Sequence, residues 1–168
     1  WNPVSAEFGA LPFIFGTIVT SIVALILSVP VSLGSAVLLT ELAGSKIKKP
    51  LGFLIEMLAA IPSVVYGLWG LFVLVPFLRT HVEPFLIDKF GFLPLFQGPP
   101  IGVGILSASI VLAIMITPTI ASICREVFTT IPKVYKEGAL ALGATRWEMI
   151  KLSVLKSSVS GVFGASIL

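Results

Sequence analysis

Charged residues are spaced so that three long stretches carry none: Phe8 to Thr40, Met57 to Leu78 and Phe90 to Cys124, of 33, 22 and 35 residues. A helix needs about 20 apolar residues to cross the hydrocarbon of a bilayer, so each stretch holds one span. The pattern predicts spans near 13–39, 52–77 and 102–124. A fourth apolar run, Ser157 to Leu168, has 12 residues and reads as the start of a further span. None of these runs alternates apolar and polar residues as the strands of a transmembrane barrel do. Pro30, Pro62, Pro76 and Pro118 fall inside or at the ends of the spans. Neighbouring helices and Ser or Thr side chains can satisfy the carbonyls that prolines free, so kinks are expected there.

Composition agrees with the pattern. Of 168 residues 57% are apolar and 11% charged, with a mean hydropathy of +1.09. A soluble domain carries roughly 25% charged residues. Eight acids and eleven bases cannot wet a globule of this size, which excludes a cytosolic enzyme, and the hydrophobicity excludes a disordered chain. The net charge of +3 and pI near 9.2 do not indicate nucleic acid, because no basic stripe with interleaved aromatics accompanies them. Cys124, the single cysteine, has no partner for an internal disulfide and acts as a small apolar residue. Trp1 is not an initiator residue and the chain stops inside an apolar run, so it is read as a fragment of one transmembrane domain, 1–168. The first apolar stretch is too long for a signal peptide and lacks a basic leader.

Position of charge sets the expected orientation. The 41–49 loop holds Glu41, Lys46, Lys48 and Lys49, and the 125–156 segment holds Arg125, Lys133, Lys136, Arg146, Lys151 and Lys156. Nine of eleven bases thus lie in these two connections, which places them in the cytoplasm. The connection from Arg79 to Pro100 balances its charges and faces outward, with Phe85, Phe90, Phe92 and Phe96 suited to the headgroup interface or to receiving a partner.

Most of the local signal lies in 125–156. Pro132 suits the first turn of a helix, and Lys133 and Glu137 have the spacing of an i,i+4 pair. Gly143 follows Ala139-Leu140-Ala141-Leu142, where a left-handed stop residue belongs. Thr145 and Glu148 have the spacing of a capping box. A short helix, a glycine turn and a second helix are therefore expected. Such a pair can be a plain interfacial linker.

Glu137-Gly138-Ala139, three further residues and Gly143 resemble the EAA motif of ABC importer permeases. Wider stretches, Phe8 to Thr17, Thr40 to Ala43, Ile55 to Gly70, Thr117 to Ser122 and Ala139 to Trp147, resemble the phosphate-specific permeases of the PstC type. The resemblance implies an all-α, polytopic transmembrane helical bundle of the MetI-like importer type. In this chain that means three full spans, a cytoplasmic coupling helix pair and the start of a fourth span. It implies that Glu137, Gly138 and Ala139 lie on a helix facing a cytoplasmic ATPase, with Gly143 making the turn. It also implies a PstA-type permease partner, two PstB-type ATPases, an extracytoplasmic phosphate-binding protein and the inner membrane as location. Gly138 stands where alanine is usual, Ser153 where isoleucine is typical and Lys156 where proline is typical, which leaves the end of the second short helix open. In the family a stretch with Arg and Glu follows the part that ends here at Leu168, and the charged substrate site is expected there.

Catalytic chemistry has no foothold. The sequence holds no phosphate-cradling Gly-x4-Gly-Lys-Ser/Thr loop, no Gly-x-Ser-x-Gly and no ligand-spaced Cys/His set, so no metal, cofactor or ATP site of its own is expected. Glu56 lies about one turn into the expected second span, from which an acid reaches the interface. His81 is expected to be solvated in the outer loop. Ser63, Tyr66, Trp69, Thr117, Thr119 and Ser122 carry donors within spans two and three. They serve either to cap proline-freed carbonyls or to line a pathway, and the first is preferred for Thr117 and Thr119. Gly67, Gly70, Ser107 and Ala108 suit close helix packing. The span cores hold no cation, so phosphate follows from the resemblance alone. Two other readings stay open: a permease for another oxyanion such as sulfate or molybdate, and a secondary transporter or channel. The latter kind usually carries ionisable groups near the midplane.

Overall fold

The computed structural model describes residues 9–90 and 100–167, and every regular element among them is helical. Helix α1 is Leu11–Val37 and continues as a π-helical turn, Leu38–Leu42. Helix α2 is Ser45–Ala59. A third run starts at Ser63–Trp69, widens at Gly70–Leu74 and Leu78–Val82, and ends in Glu83–Phe90; this run is α3. Helix α4 is Ile105–Thr130, α5 is Lys133–Ala141 and α6 is Arg146–Met149. Wide and 3₁₀ turns at Ile150–Leu155 and Lys156–Ser158 carry α6 into α7, Val159–Ile167. Three helices are long and apolar enough to cross a membrane: Leu11–Leu42, Ser63–Lys89 and Ile105–Thr130.

The first and third spans agree with the apolar pattern, but the second does not run over 52–77. The chain breaks at Ala60–Pro62, with Pro62 at ψ 136° ahead of α3. Proline lacks the N–H a continuing helix needs and drives the preceding residue out of the helical region. Apolar residues flank the break on both sides and hide it from a charge-based reading. Consequently α2 is a separate amphipathic helix, and the span begins at Ser63 and runs through Arg79 to Lys89. The region from Arg79 to Phe90 is helix rather than loop. Phe85 is exposed on it, while Phe92 and Phe96 lie outside the described residues. Pro30 and Pro118 stay inside α1 and α4 as expected. Pro76 follows the widened turn Gly70–Leu74, which makes room where its ring would otherwise crowd the carbonyl four residues back.

The described residues form two compact units, one of 9–24 with 61–113 and one of 25–60 with 114–167. In the first, Gly70 is buried and a Cβ there would collide with Val111, so the backbone approach expected of this glycine is real. Gly67 and Ala108 are exposed and do not serve that purpose, while Ser107 is buried and closes the start of α4, donating to the Gly104 carbonyl at 2.9 Å. Gly102 adopts φ +82° and donates its N–H to Glu83 Oε2 at 2.9 Å. His81 is exposed as expected, though in a helical turn rather than a loop, where its ring stacks on Phe77 and its Nδ1 lies 2.6 Å from Thr80 Oγ1.

The second unit has its own core. Ala36, Val37, Ile120, Cys124, Phe128, Met149, Ile150, Val154 and Ala165 pack together, drawing on α1, α4 and the segment after α5. Small residues allow the close approach. Ser28, Ser32 and Ala36 lie at i,i+4 spacing on α1 and are all buried. Ser32 Oγ donates across to the Thr117 carbonyl at 2.9 Å, beside Pro118. A Cβ at Gly161 would strike Val127. Stripes of this kind let backbones come together where lipid removes the hydrophobic drive.

Candidate functional site: a helix pair with an apolar outer face

Helix α5 opens after Pro132, which occupies the cap position with ψ 136° rather than the first turn. The helix ends because Gly143 takes φ +86°, where a side chain would be strained. The Gly143 N–H donates to the Leu140 carbonyl at 3.0 Å and the Ala144 N–H to the Ala139 carbonyl at 3.1 Å, which satisfies the last turn. Thr145 then caps α6 reciprocally. Its N–H donates to Glu148 Oε2 at 2.8 Å, and the Glu148 N–H donates back to Thr145 Oγ1 at 3.3 Å. The Thr145 backbone N–H foremost, and then the Thr145 hydroxyl, which donates to the same Glu148 Oε2 at 2.7 Å, with help from the nearby Lys151 charge, hold the Glu148 carboxyl below the usual carboxylate range. The helix, glycine turn and capped second helix expected from the sequence are thus all present.

Packing fixes the pair from behind. Ala139 rests on the core cluster, and Met149 and Ile150 are part of it. Ser153 Oγ donates to the Tyr135 carbonyl at 3.1 Å. The end of the second short helix, left open by the sequence, is not a stop: helical turns continue through Lys156 into α7. Lys136 Nζ lies 2.5 Å from Glu41 Oε1. That pair replaces the expected Lys133–Glu137 contact, since these two make no ion pair among the described residues.

Away from these contacts the pair exposes large apolar side chains: Val134, Tyr135, Leu142 and Trp147, with Leu142 at 91%. Lys151 lies over the Trp147 ring at 5.3 Å. Glu137 and Gly138 are exposed, and Gly138 meets nothing where a Cβ would sit. A pocket of about 320 Å³ opens beside α5, lined by Glu41, Lys133, Lys136, Glu137, Leu140 and Arg146 among others. Large apolar side chains exposed close together are the kind of surface that meets a protein partner or a membrane.

Candidate pathway residues divide between the units. Ser63 and Tyr66 belong to the first, with Ser63 exposed at the start of α3. Thr117, Thr119 and Ser122 belong to the second, where Ser122 Oγ donates to the Thr119 carbonyl at 2.8 Å. Glu56 is on α2 rather than in a span, and it forms an ion pair with Arg125 at the end of α4. Gly52 sits beneath this pair, and a Cβ there would meet the tip of the Arg125 guanidinium, which would have to shift. Sequence reasoning missed both inter-element ion pairs. Their one available signal was that Glu41 and Glu56 are acids close to a loop otherwise occupied by lysines. Among the described residues no cluster of His, Cys, Asp or Glu could hold a metal ion.

Three apolar spans and a capped helix pair that follows the third define a multi-pass helical membrane protein. The chain belongs to the family of binding-protein-dependent transport system inner membrane components, which it matches over residues 28–168. It is 53% identical to the phosphate transport system permease protein PstC of Xylella fastidiosa over its whole length, covering 53% of that protein. It is 50% identical to the corresponding protein of Pasteurella multocida and 48% identical to that of Haemophilus influenzae, again over its whole length, covering 54% and 55% of them. The chain therefore spans about half the length of the relatives it matches. No solved structure matches it.

Proposed function

We propose that this chain is part of the transmembrane permease of an ATP-driven importer of inorganic phosphate, and that its helix pair at 133–149 receives the ATPase. On this reading 1–168 belongs to a single transmembrane domain, the pair faces the cytoplasm, and the chain performs no catalysis itself. The partners are a PstA-type permease, two PstB-type ATP-binding subunits and an extracytoplasmic phosphate-binding protein. Support for phosphate comes from the relatives, each a phosphate transport permease by name. Support for docking comes from one observation above all: Val134, Tyr135, Leu142 and Trp147 stand exposed on a rigidly capped pair in the most basic segment of the chain.

A nucleotide-driven movement of the ATPase subunits would press on α5 and α6 and bias the spans between two arrangements. Such coupling requires contacts that differ between the two states. Glu137 and Gly138 stand exposed on the contacting helix, Ala139 seats that helix on the core, and Gly143 sets the angle between the helices. Ser63, Tyr66, Thr117, Thr119 and Ser122 remain candidates to line the pathway. In the assembled transporter, Glu137→Lys and Gly143→Val should insert normally and lose binding-protein-stimulated ATP hydrolysis. Full stimulation in both variants would sink the docking role. Stimulation by sulfate or molybdate in place of phosphate would move the cargo to another oxyanion.

A further inference from the structure

We propose that Glu41 and Lys136 form a strut that makes the end of the first span and the coupling helix move as one body, with Glu41 the positioning residue. The inference rests on the reading that α5 receives the ATPase. Glu41 lies within the π-helical turn Leu38–Leu42 that extends α1, and its side chain is 8% exposed. Lys136, on the second turn of α5, is 20% exposed and meets it at 2.5 Å. Every other charge lining the adjoining pocket, Lys133, Glu137 and Arg146, is on an exposed residue.

Burying a lone carboxylate is costly, and separating a buried pair leaves two uncompensated charges. The pair therefore resists being pulled apart more strongly than the exposed charges around it. Its placement adds to this. Ser153 holds the Tyr135 carbonyl one residue before Lys136, and Ala139 packs on the core three residues after it. Helix α5 is thus tied backward to the α6–α7 run by a hydrogen bond and sideways to α1 by the ion pair. The widened turn carries Glu41 off the regular α-helical register, and such turns recur at functional positions. A push on α5 then displaces Leu38–Leu42 directly, without passing through the 44–59 segment.

Two measurements on the assembled transporter in phospholipid vesicles test this, with inorganic phosphate as the transported probe. In the first, Glu41→Gln should keep basal ATP hydrolysis, while phosphate taken up per ATP falls about five-fold or more, the low end of what a coupling free energy supplies. The swap Glu41→Lys with Lys136→Glu should recover most of that loss. An unchanged uptake ratio in Glu41→Gln, or a swap no better than the single variant, overturns the strut. The second uses Glu41→Cys with Lys136→Cys in a Cys124→Ala background, joined by a short bifunctional thiol reagent. Unlinked, this variant should show the loss seen for Glu41→Gln, and because the two groups travel together the cross-link should raise transport rather than abolish it. Transport abolished by the cross-link and restored by reduction would show that the groups separate during the cycle, and would refute the proposal. Glu137→Lys is run alongside: normal stimulation in that variant refutes the docking reading itself, whatever Glu41 does.

Discussion

The unit of 25–60 with 114–167 and the unit of 9–24 with 61–113 use similar apolar composition in different ways. In the former, Phe128, Cys124 and Val154 are completely buried, and two ion pairs cross between elements. In the latter, the span Ser63–Lys89 has only 11% of its most apolar window buried. Val64 and Phe72 on that span stand free. In water such a span would be a fault; in lipid an exposed apolar side chain costs nothing, because the tails are as apolar as the residue. The contrast shows which part of the chain carries its own packing and which part presents its surface to lipid or to further spans. The self-packed unit also holds the capped helix pair.

Substitutions can break the contrast. Phe128→Ala should cost about 3–5 kcal/mol, since it empties a site with no exposure, whereas Phe72→Ala should stay within about 0.5 kcal/mol. Equilibrium unfolding in mixed micelles compares them, and equal losses would erase the distinction. Gly102→Ala should cost roughly 1–3 kcal/mol, because φ +82° strains any side chain and the new Cβ would lie 2.8 Å from the Val75 carbonyl oxygen. This loss would locate a fixed point within the otherwise open unit. Thr145→Ala should cost about 1 kcal/mol by removing the cap of α6, read as faster amide exchange confined to 145–149.

The smallest effect concerns pH. Glu148 titrates below its ordinary range in the folded state, so its capping contribution is present above the unfolded carboxylate pKa and fades as pH falls through the folded value. Amide protection of α6 should therefore hold at pH 7 and weaken on acidification, and Glu148→Gln should flatten that dependence. Protection that rises on acidification would contradict the capping box.

Local chemistry was the most legible part of the sequence. Gly143, Thr145 and Glu148 act within a few residues of one another, so spacing alone told what they build. Span ends were less legible, because the helices run on past the marking charges, through Arg79 to Lys89 and through Arg125 to Thr130. The break at Ala60–Pro62 was hidden, because Ala59, Ile61 and Val64 are as apolar as a continuing span requires. Long-range pairing was the least legible. Glu41 and Lys136 are 95 residues apart, and Glu56 and Arg125 are 69 apart. Nothing in either local pattern announces a partner. Gly67 and Gly70 offer the same lesson within one helix, since only the second meets a neighbour.

Docking of the helix pair on an ATPase is the centre of the account, and site-directed photocrosslinking reads it most directly. A photoreactive residue at Leu142, in the assembled transporter, should give an efficient adduct with the ATP-binding subunit, while the same group at Phe72 should give none. An adduct from Phe72 and none from Leu142 would contradict the assignment of the 133–149 face.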